Sequence, residues 1–524
     1  MAEANSARAR FSGMARGLTA LVAAMGILVA LWQLMSGPEG LQITHDRVDG
    51  VPITVVSPAA TEPGPVAVIA HGFAGSRQMM QPLAITLARQ GYLAITLDFP
   101  GHGANAEPFV PDLMAMERRR HLLGGALERV VDHARSHPAG DGSVTLMGHS
   151  MAGDIMLQHG QQHPGQVRSM VLISPFIAED TSMEGLDNLL FIFGELEPEP
   201  LRNTAMPAFE LHDPARVQPG MTYGDFAKGD ARRLAVIEGA EHMGIIQARQ
   251  ALLEALAWME GVAPADLDAP FVDARGPWLG LLFMSIIALA WPLMRALPRV
   301  AHPARGSDMP WRRLWPVAVI PAVLTPLLLW QVPLGLLPLL LSDYLTMHFA
   351  VYGLLTWAGL WLMQRHHGNV FGPFPGRTAW GALIAATVLA TAYGTLAVGL
   401  PIHAFVTGYL PIPERLVWLP VIFLGTLLFF SADEWLTRGE TGTTGSHIFT
   451  KLLFLLSLVG AVALRLDELF FLIIIFPAIA AFLLVYGLLA RWIFTGTGHP
   501  LVGAIAVAFS LAWGMSVTFP LVGD

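Results

Sequence analysis

The sequence predicts an α/β fold, a mostly parallel, doubly wound sheet with crossover helices, joined to an all-α region of many membrane-crossing helices. Three observations predict it. Strand-length apolar runs alternate with helical stretches between residues 41 and 262. From Pro277 onward the chain is almost continuously apolar. The 524 residues are 53% hydrophobic but only 14% charged, whereas an ordinary soluble domain carries about 25% charged residues. So much apolar sequence needs an apolar solvent, and a bilayer supplies one.

The first zone is a basic head at residues 1–16, with Arg8, Arg10 and Arg16, followed by an apolar run over residues 17–36. A helix of about 20 residues crosses a ~30 Å hydrocarbon core. A cleaved signal peptide starts in the same way, but this run is long for one and no A-x-A site follows it. The expectation is an uncleaved anchor.

The second zone spans residues 41–262. Its strand-length runs are Val66–Ala70, Leu93–Leu97, Ser143–Met147, Val167–Ile173, Leu189–Phe193 and Leu234–Ile237. Helical patterns over Met79–Gln90 and Asp112–His137 separate some of them, as crossover connections require. Ahead of these, Leu41–Val48 and Val51–Ser57 flank Asp49-Gly50, a hairpin turn signal.

The third zone, residues 277–524, holds about eight further spans, near 277–297, 314–335, 343–363, 379–400, 416–434, 452–466, 469–490 and 500–520. Prolines 316, 321, 326, 333 and 338 make the 314–341 stretch either one broken span or a span plus a re-entrant piece. Basic residues cluster in alternate loops: Arg295, Arg299, Arg305, Arg312 and Arg313, then Arg365 and Arg377, then Arg438 and Lys451, then Arg491. The intervening loops carry Asp343, Glu414 with Arg415, and Asp467 with Glu468. Positive residues stay cytoplasmic. The second zone is therefore expected outside the cytoplasm, in the periplasm of a Gram-negative inner membrane.

Composition also excludes functions. A net charge of −9 gives no basic face for nucleic acid. The absence of cysteine removes disulfides, thiol nucleophiles and thiolate metal sites. No histidine pair has helical metal spacing with a third ligand nearby; His159 and His163, four apart, read as a helix end. Neither a metal nor a cofactor is expected.

The strongest chemical signal is Gly148-His149-Ser150-Met151-Ala152-Gly153 directly after the strand Ser143–Met147. This is a nucleophile elbow, in which a tight strand-to-helix turn exposes the serine and needs small neighbours. Ala152 stands where the motif's last glycine falls. Three more motifs follow strands in order: His71-Gly72-Phe73-Ala74-Gly75-Ser76, Asp98-Phe99-Pro100-Gly101-His102-Gly103, and Glu238-Gly239-Ala240-Glu241-His242. Together they resemble the α/β-hydrolase family, in particular its minimal esterase-like members, over about 220 residues.

The resemblance implies a triad of Ser150, His242 and an acid placed after the strand Leu189–Phe193. Gly194-Glu195-Leu196-Glu197 puts Glu197 at that position, and Asp213 is the alternative acid. Ser150 would attack a carbonyl, His242 would shuttle its proton, and Glu197 would orient the imidazole. The resemblance also implies an oxyanion hole of two backbone N–H groups, from Met151 and Phe73. His102 reads as ordering its own turn, His149 as packing, and His366-His367 as a solvated loop. Fewer than 20 residues separate the strands ending at Ile173 and starting at Leu189, so no large lid fits there. Pro175, Phe176, Ile177 and Met183 read equally as an acyl-side wall or as core.

In the third zone, Asp433-Glu434-Trp435-Leu436-Thr437-Arg438 resembles the EExxxR motif of CAAX-protease-like membrane proteins, and Thr497-Gly498-His499-Pro500 follows. The later histidines of that chemistry are not evident inside the last two spans. The expected activity is hydrolysis of a small-molecule or lipid-like carboxylic ester beside membrane lipids. Acyl transfer by the same triad is the alternative, and a transporter or envelope-assembly factor with a hydrolase-like module is a third reading.

Overall fold

The computed structural model describes residues 2–59, 63–112, 115–212, 217–263, 271–368, 370 and 378–523. Asp213 and Arg377 lie outside the described residues. The chain forms two compact units. One comprises Ala30–Gly280, Ile402–Tyr409 and Pro520–Asp524; the other comprises Met1–Val29, Leu281–Pro401 and Leu410–Phe519.

The first unit is built on nine strands: β1 (Leu41–Val48), β2 (Val51–Pro58), β3 (Gly64–Ala70), β4 (Leu93–Leu97), β5 (Gly140–His149), β6 (Val167–Ile173), β7 (Leu189–Gly194), β8 (Thr222–Tyr223) and β9 (Arg232–Ile237). Their order is β1-β2-β4-β3-β5-β6-β7-β9-β8. The six strands from β4 to β9 in that order run parallel, and β1, β2 and β8 are antiparallel additions. The hairpin turns at Asp49-Gly50, both at positive φ, as its sequence requires. β5 starts three residues earlier than its apolar run and ends at the elbow. The two-residue edge strand β8 has no apolar pattern to announce it.

Parallel strands covered on both faces read as continuous apolar runs. β4 and β7 are buried at every position. Helix Met116–Ser136 buries Leu123, Ala126, Leu127, Val130, Val131 and Ala134, an i, i+3, i+4, i+7 stripe that faces the core. Trp258, on helix Arg249–Val262, is fully covered and donates its indole N–H to Ser169 Oγ at 2.8 Å.

The segment between β6 and β7 is short, and polar bonds hold it down. Arg120 bonds Asp154 (2.9 and 3.2 Å) and Asp180 (2.7 Å twice). Asp154 also accepts from the Ala178 N–H at 3.1 Å and from the Thr181 hydroxyl. Pro175, Ile177 and Met183 are buried core residues, and only Phe176 of that group is exposed.

The second unit is helical. Among the described residues nine helices are long and apolar enough to cross a membrane: Gly13–Ser36, Gly276–Arg295, Trp311–Leu329, Ser342–His367, Trp380–Phe405, Leu419–Thr437, Ser446–Leu464, Phe471–Thr497 and Pro500–Thr518. They point to insertion in a membrane. Pro316, Pro321 and Pro326 sit inside one helix that stops at Leu329, with no re-entrant helix after it. The short 452–466 span is in fact a 19-residue helix beginning at Ser446. Its charged Lys451 had masked the start and is paired with Asp433 inside the unit. His366 and His367 form the last turn of a helix rather than a loop.

Glu434 pairs with Arg438 at 2.8 Å, four residues along the same chain segment. Ligand atoms of Asp433, Glu434 and His447 lie within 4.8 Å of one another, a cluster that the histidine spacing did not reveal. Lys451 and Arg438 already balance its two carboxylates. His499 stacks edge-on to Trp435, 6.0 Å between centroids, and caps the last helix through the Leu501 N–H.

Removing one partner of a buried ion pair leaves the other charge stranded, at a cost of about 3–5 kcal/mol. Asp154→Ala should therefore lower the thermal unfolding midpoint markedly. Asp180, two-thirds exposed, should matter far less, because solvent screens an exposed ion pair. Equal shifts for Asp154→Ala and Asp180→Ala in a melting experiment would contradict this.

Candidate active site

The site is assembled from four strand ends. β5 delivers His149 and Ser150, and helix Ala152–Gln162 starts immediately afterward. Ser150 has φ 54°, a left-handed conformation that costs a non-glycine residue about 1–3 kcal/mol. It persists because both flanks are fixed. The Ser150 N–H donates to Ile173 O (3.0 Å), and its carbonyl accepts from Gly153 (3.0 Å) and Phe176 (2.9 Å).

Small residues let this turn close. A Cβ on Gly72 would lie 2.9 Å from Ser150 Cβ, and one on Gly153 would lie 2.4 Å from Pro175 Cβ. A Cβ on Gly148 would lie 2.6 Å from Met156 Sδ and 3.0 Å from Ala152 Cβ. Ala152 replaces the motif glycine without strain because Gly148 leaves room for its methyl.

The structure brings Ser150, His242 and Glu197 together. Ser150 Oγ is 2.9 Å from His242 Nε2, and His242 Nδ1 is 2.6 Å from Glu197 Oε1. The second carboxylate oxygen, Oε2, accepts from Ser174 Oγ at 2.8 Å and from the Gly194 N–H at 2.7 Å. Burial alone would raise the Glu197 pKa. The bonds from His242, Gly194 and Ser174 outweigh it and hold the group below the usual carboxylate range. Glu197 is therefore ionised, which fixes Nδ1–H as the donor and leaves Nε2 to accept the serine proton.

The glutamate and histidine loops are stitched together. Leu196 N–H donates to Ala240 O at 3.0 Å, and Gly239 N–H to Glu195 Oε2 at 2.9 Å. At Gly194 a Cβ would meet Ala240 O at 2.3 Å. This close approach, and the turn back toward Gly194, accommodate the extra methylene of glutamate.

Two site residues carry more than sequence reasoning assigned them. Ser174, also at positive φ (46°), supplies a carboxylate bond; only its place at a strand end hinted at this. His149, read as packing, is buried and donates from Nε2 to the His242 carbonyl at 2.9 Å. Burial, with His242 beside it, pushes its pKa down to about 3, so it is a neutral strut between nucleophile and base.

The loop His71–Ser76 lies against Ser150 through Gly72. Buried His71 donates from Nδ1 to Gly72 O (2.7 Å) and accepts from the Phe99 N–H at Nε2 (3.1 Å). His102 donates to Pro100 O at 2.8 Å and so orders its own turn. Asp98 accepts from the N–H groups of Arg77 (2.7 Å) and Ala104 (2.9 Å) and pairs with the Arg77 guanidinium. Phe73 follows Gly72 in this loop, and Met151 caps the helix after the nucleophile, where the first amides lack intrahelical acceptors. Three exposed apolar residues neighbour the three polar ones along the chain or through the backbone: Phe176, whose N–H bonds the Ser150 carbonyl, Leu196 before Glu197, and Met243 after His242.

A serine, a histidine and an ionised carboxylate in this order and geometry define a serine hydrolase of the α/β-hydrolase fold. Comparison with known proteins gives the family. Residues 61–245 match the family model described as "Serine aminopeptidase, S33". The monoacylglycerol lipase of Mycolicibacterium smegmatis is 32% identical over 209 residues, covering 38% of this chain and 68% of that protein. A Thermus thermophilus protein of known structure aligns with 17% identity and a TM-score of 0.33, over 43% of this chain and 99% of its own. The dienelactone hydrolase of Anabaena variabilis aligns with 20% identity and a TM-score of 0.32, over 42% and 97%. The chain belongs to this serine aminopeptidase family of the α/β-hydrolase superfamily, and it is an ester-cleaving serine hydrolase.

The acid assignment has a direct test. Glu197→Ala should lower kcat by about 10³-fold or more, because the imidazole loses both its tautomer and its cation's partner. Asp213→Ala should leave kcat within a few-fold of wild type. The reverse pattern in steady-state ester hydrolysis would move the acid to Asp213.

Proposed function

We propose that this chain is a membrane-anchored esterase that hydrolyses a lipid-like carboxylic ester through an acyl-enzyme on Ser150. The observation that carries the reading is the continuous chain from Ser150 Oγ through His242 to the ionised, buried Glu197. His242 Nε2 takes the serine proton as Oγ attacks the ester carbonyl. The tetrahedral oxyanion is held by the backbone N–H groups of Met151 and Phe73. His242 then protonates the leaving alcohol, and water repeats the sequence to release the acid.

A long-chain or glycerol-like ester is favoured by the exposed Phe176, Leu196 and Met243 around the polar centre and by the monoacylglycerol lipase relative. Nine helices apolar enough to cross a membrane are in keeping with a lipid-like substrate. In domain terms, a basic head (residues 1–16), an anchor (17–36), a hydrolase domain (41–262) and a membrane domain (277–524) make up the chain.

The orientation puts the hydrolase domain outside the cytoplasm of a bacterial inner membrane. Basic loops on one side support it. The helix count puts both ends of the membrane domain on one side, whichever side that is. Eight helices between Gly276 and Thr518 return the chain to the side it left, and Leu521 then bonds Gly101 of the hydrolase unit, from N–H to O at 2.8 Å.

A fluorophosphonate probe on isolated membranes should label the wild-type chain and leave Ser150→Ala unlabelled. Equal labelling of both, or none of the wild type, would sink the esterase reading. Because the chain has no cysteine, single exposed cysteines report topology cleanly. Ser182→Cys in spheroplasts should react with a membrane-impermeant maleimide, and His366→Cys only after permeabilisation. The opposite pattern would invert the orientation.

A further inference from the structure

Two segments that leave the ends of membrane-length helices belong to the hydrolase unit: Ile402–Tyr409, after helix Trp380–Phe405 begins to end, and the tail from Pro520, after helix Pro500–Thr518. Both bind the part of that unit where the oxyanion loop sits. Ser76, the last residue of the loop His71–Ser76, is 1% exposed. Its Oγ lies 2.9 Å from Thr407 Oγ1 and accepts from the Gly408 N–H at 2.6 Å. Gly408 seats against it, since a Cβ there would touch Ser76 Cβ and Oγ at 3.4 Å.

The tail binds the neighbouring turn through backbone bonds. Leu521 N–H donates to Gly101 O (2.8 Å), Phe109 N–H donates to Leu521 O (2.8 Å), and Gly523 N–H donates to Phe109 O (3.4 Å). Phe109 is buried, with its ring 6.4 Å from Phe73 and 5.2 Å from His102; Phe73 is in turn 6.0 Å from His102. Phe73 is thus held through its loop, which ends on Thr407 and Gly408, and through its ring, which packs on a residue tied to the tail.

We propose that these two segments are straps that position the oxyanion loop, with Thr407, Gly408 and Leu521 acting on catalysis through Ser76, Phe109 and Phe73. This rests on the esterase reading above. An oxyanion donor works only within about 2.7–3.1 Å of the developing charge, and losing one costs about 10²–10³ in rate. The loop has little slack: Gly72 has no room for a Cβ beside Ser150, and its other end is pinned by the Arg77–Asp98 bonds. Releasing Ser76 and Phe109 loosens the far side of the loop, so a shift of a few tenths of an ångström would act on the transition state and not on ground-state binding.

The test uses the full chain in mild detergent, comparing wild type with Thr407→Val, Ser76→Ala and a chain ending at Phe519. A soluble short-chain ester reports kcat and KM, and an alkyl boronic acid, which adds to the serine as a tetrahedral anion, reports oxyanion binding. Each variant should lose about ten-fold or more in kcat and in boronate affinity together, with KM within two-fold and an unchanged melting midpoint. Wild-type kcat and boronate affinity in all three would overturn the straps, and so would a loss that falls on KM. Hydrogen exchange over residues 71–76 stands apart from activity. It should speed up in Thr407→Val and in the shortened chain; unchanged exchange contradicts the proposal even if wild type proves to have no esterase activity. A wild type that neither turns over ester nor takes the fluorophosphonate probe sinks the esterase reading alone.

Discussion

The turn at Ser150 is the constraint on which the rest of the site depends. A side chain at φ 54° is held at the end of a parallel strand, so its Oγ projects from the sheet edge and not into the core. Bonds from three directions hold that conformation. It is imposed by β6 through Ile173, by the segment after β6 through Phe176, and by helix Ala152–Gln162 through Gly153. The sheet order places β5 in the middle, between β3 and β6. Every loop that approaches the serine therefore comes from a strand end no more than three positions away, the histidine loop after β9 being the farthest. The fold and the chemistry are linked by that adjacency, because a parallel sheet gathers its strand ends along one edge.

Electrostatics then settle which group does what. Glu197 is buried, yet three donors keep it charged, and its charge keeps the proton on His242 Nδ1. His149 is buried with no charged partner and stays neutral, so the same burial that would disable a carboxylate makes a good strut of an imidazole. Two histidines 4.9 Å apart between centroids thus have opposite duties. In the proposed mechanism one accepts a proton in each turnover, and the other does not.

Much of this was legible in the sequence, for physical reasons. β4 and β6 were readable to the residue and the hairpin to within one, because buried parallel strands are mostly apolar and Asp-Gly turns admit positive φ. Ser150, His242 and Glu197 were legible through strand-then-turn context. Other features were hidden. The edge strand β8 is too short to carry a period. Lys451 concealed the first turn of its helix, since a charge inside a span is read as its end until a partner such as Asp433 is known. Ser174 and the His149 strut depend on contacts between residues 23 and 93 positions apart, which no local pattern encodes. The bonds from Thr407, Gly408 and Leu521 to the hydrolase unit are more remote still.

The proposed straps would give the segments that follow two of the apolar helices a part in catalysis. The spans of the helical part carry apolar surface suited to a bilayer, and segments at their ends complete the unit that holds the nucleophile. The proposed function turns on one covalent event at Ser150. The most direct measurement is to mix the full-length protein with a chromogenic ester, quench with acid in the pre-steady state, digest, and map the trapped acyl group by mass spectrometry. The account predicts a burst of alcohol stoichiometric with enzyme and the acyl mass on the peptide bearing Ser150. Turnover with no burst and no acylated peptide, or with the acyl group on another residue, would contradict it.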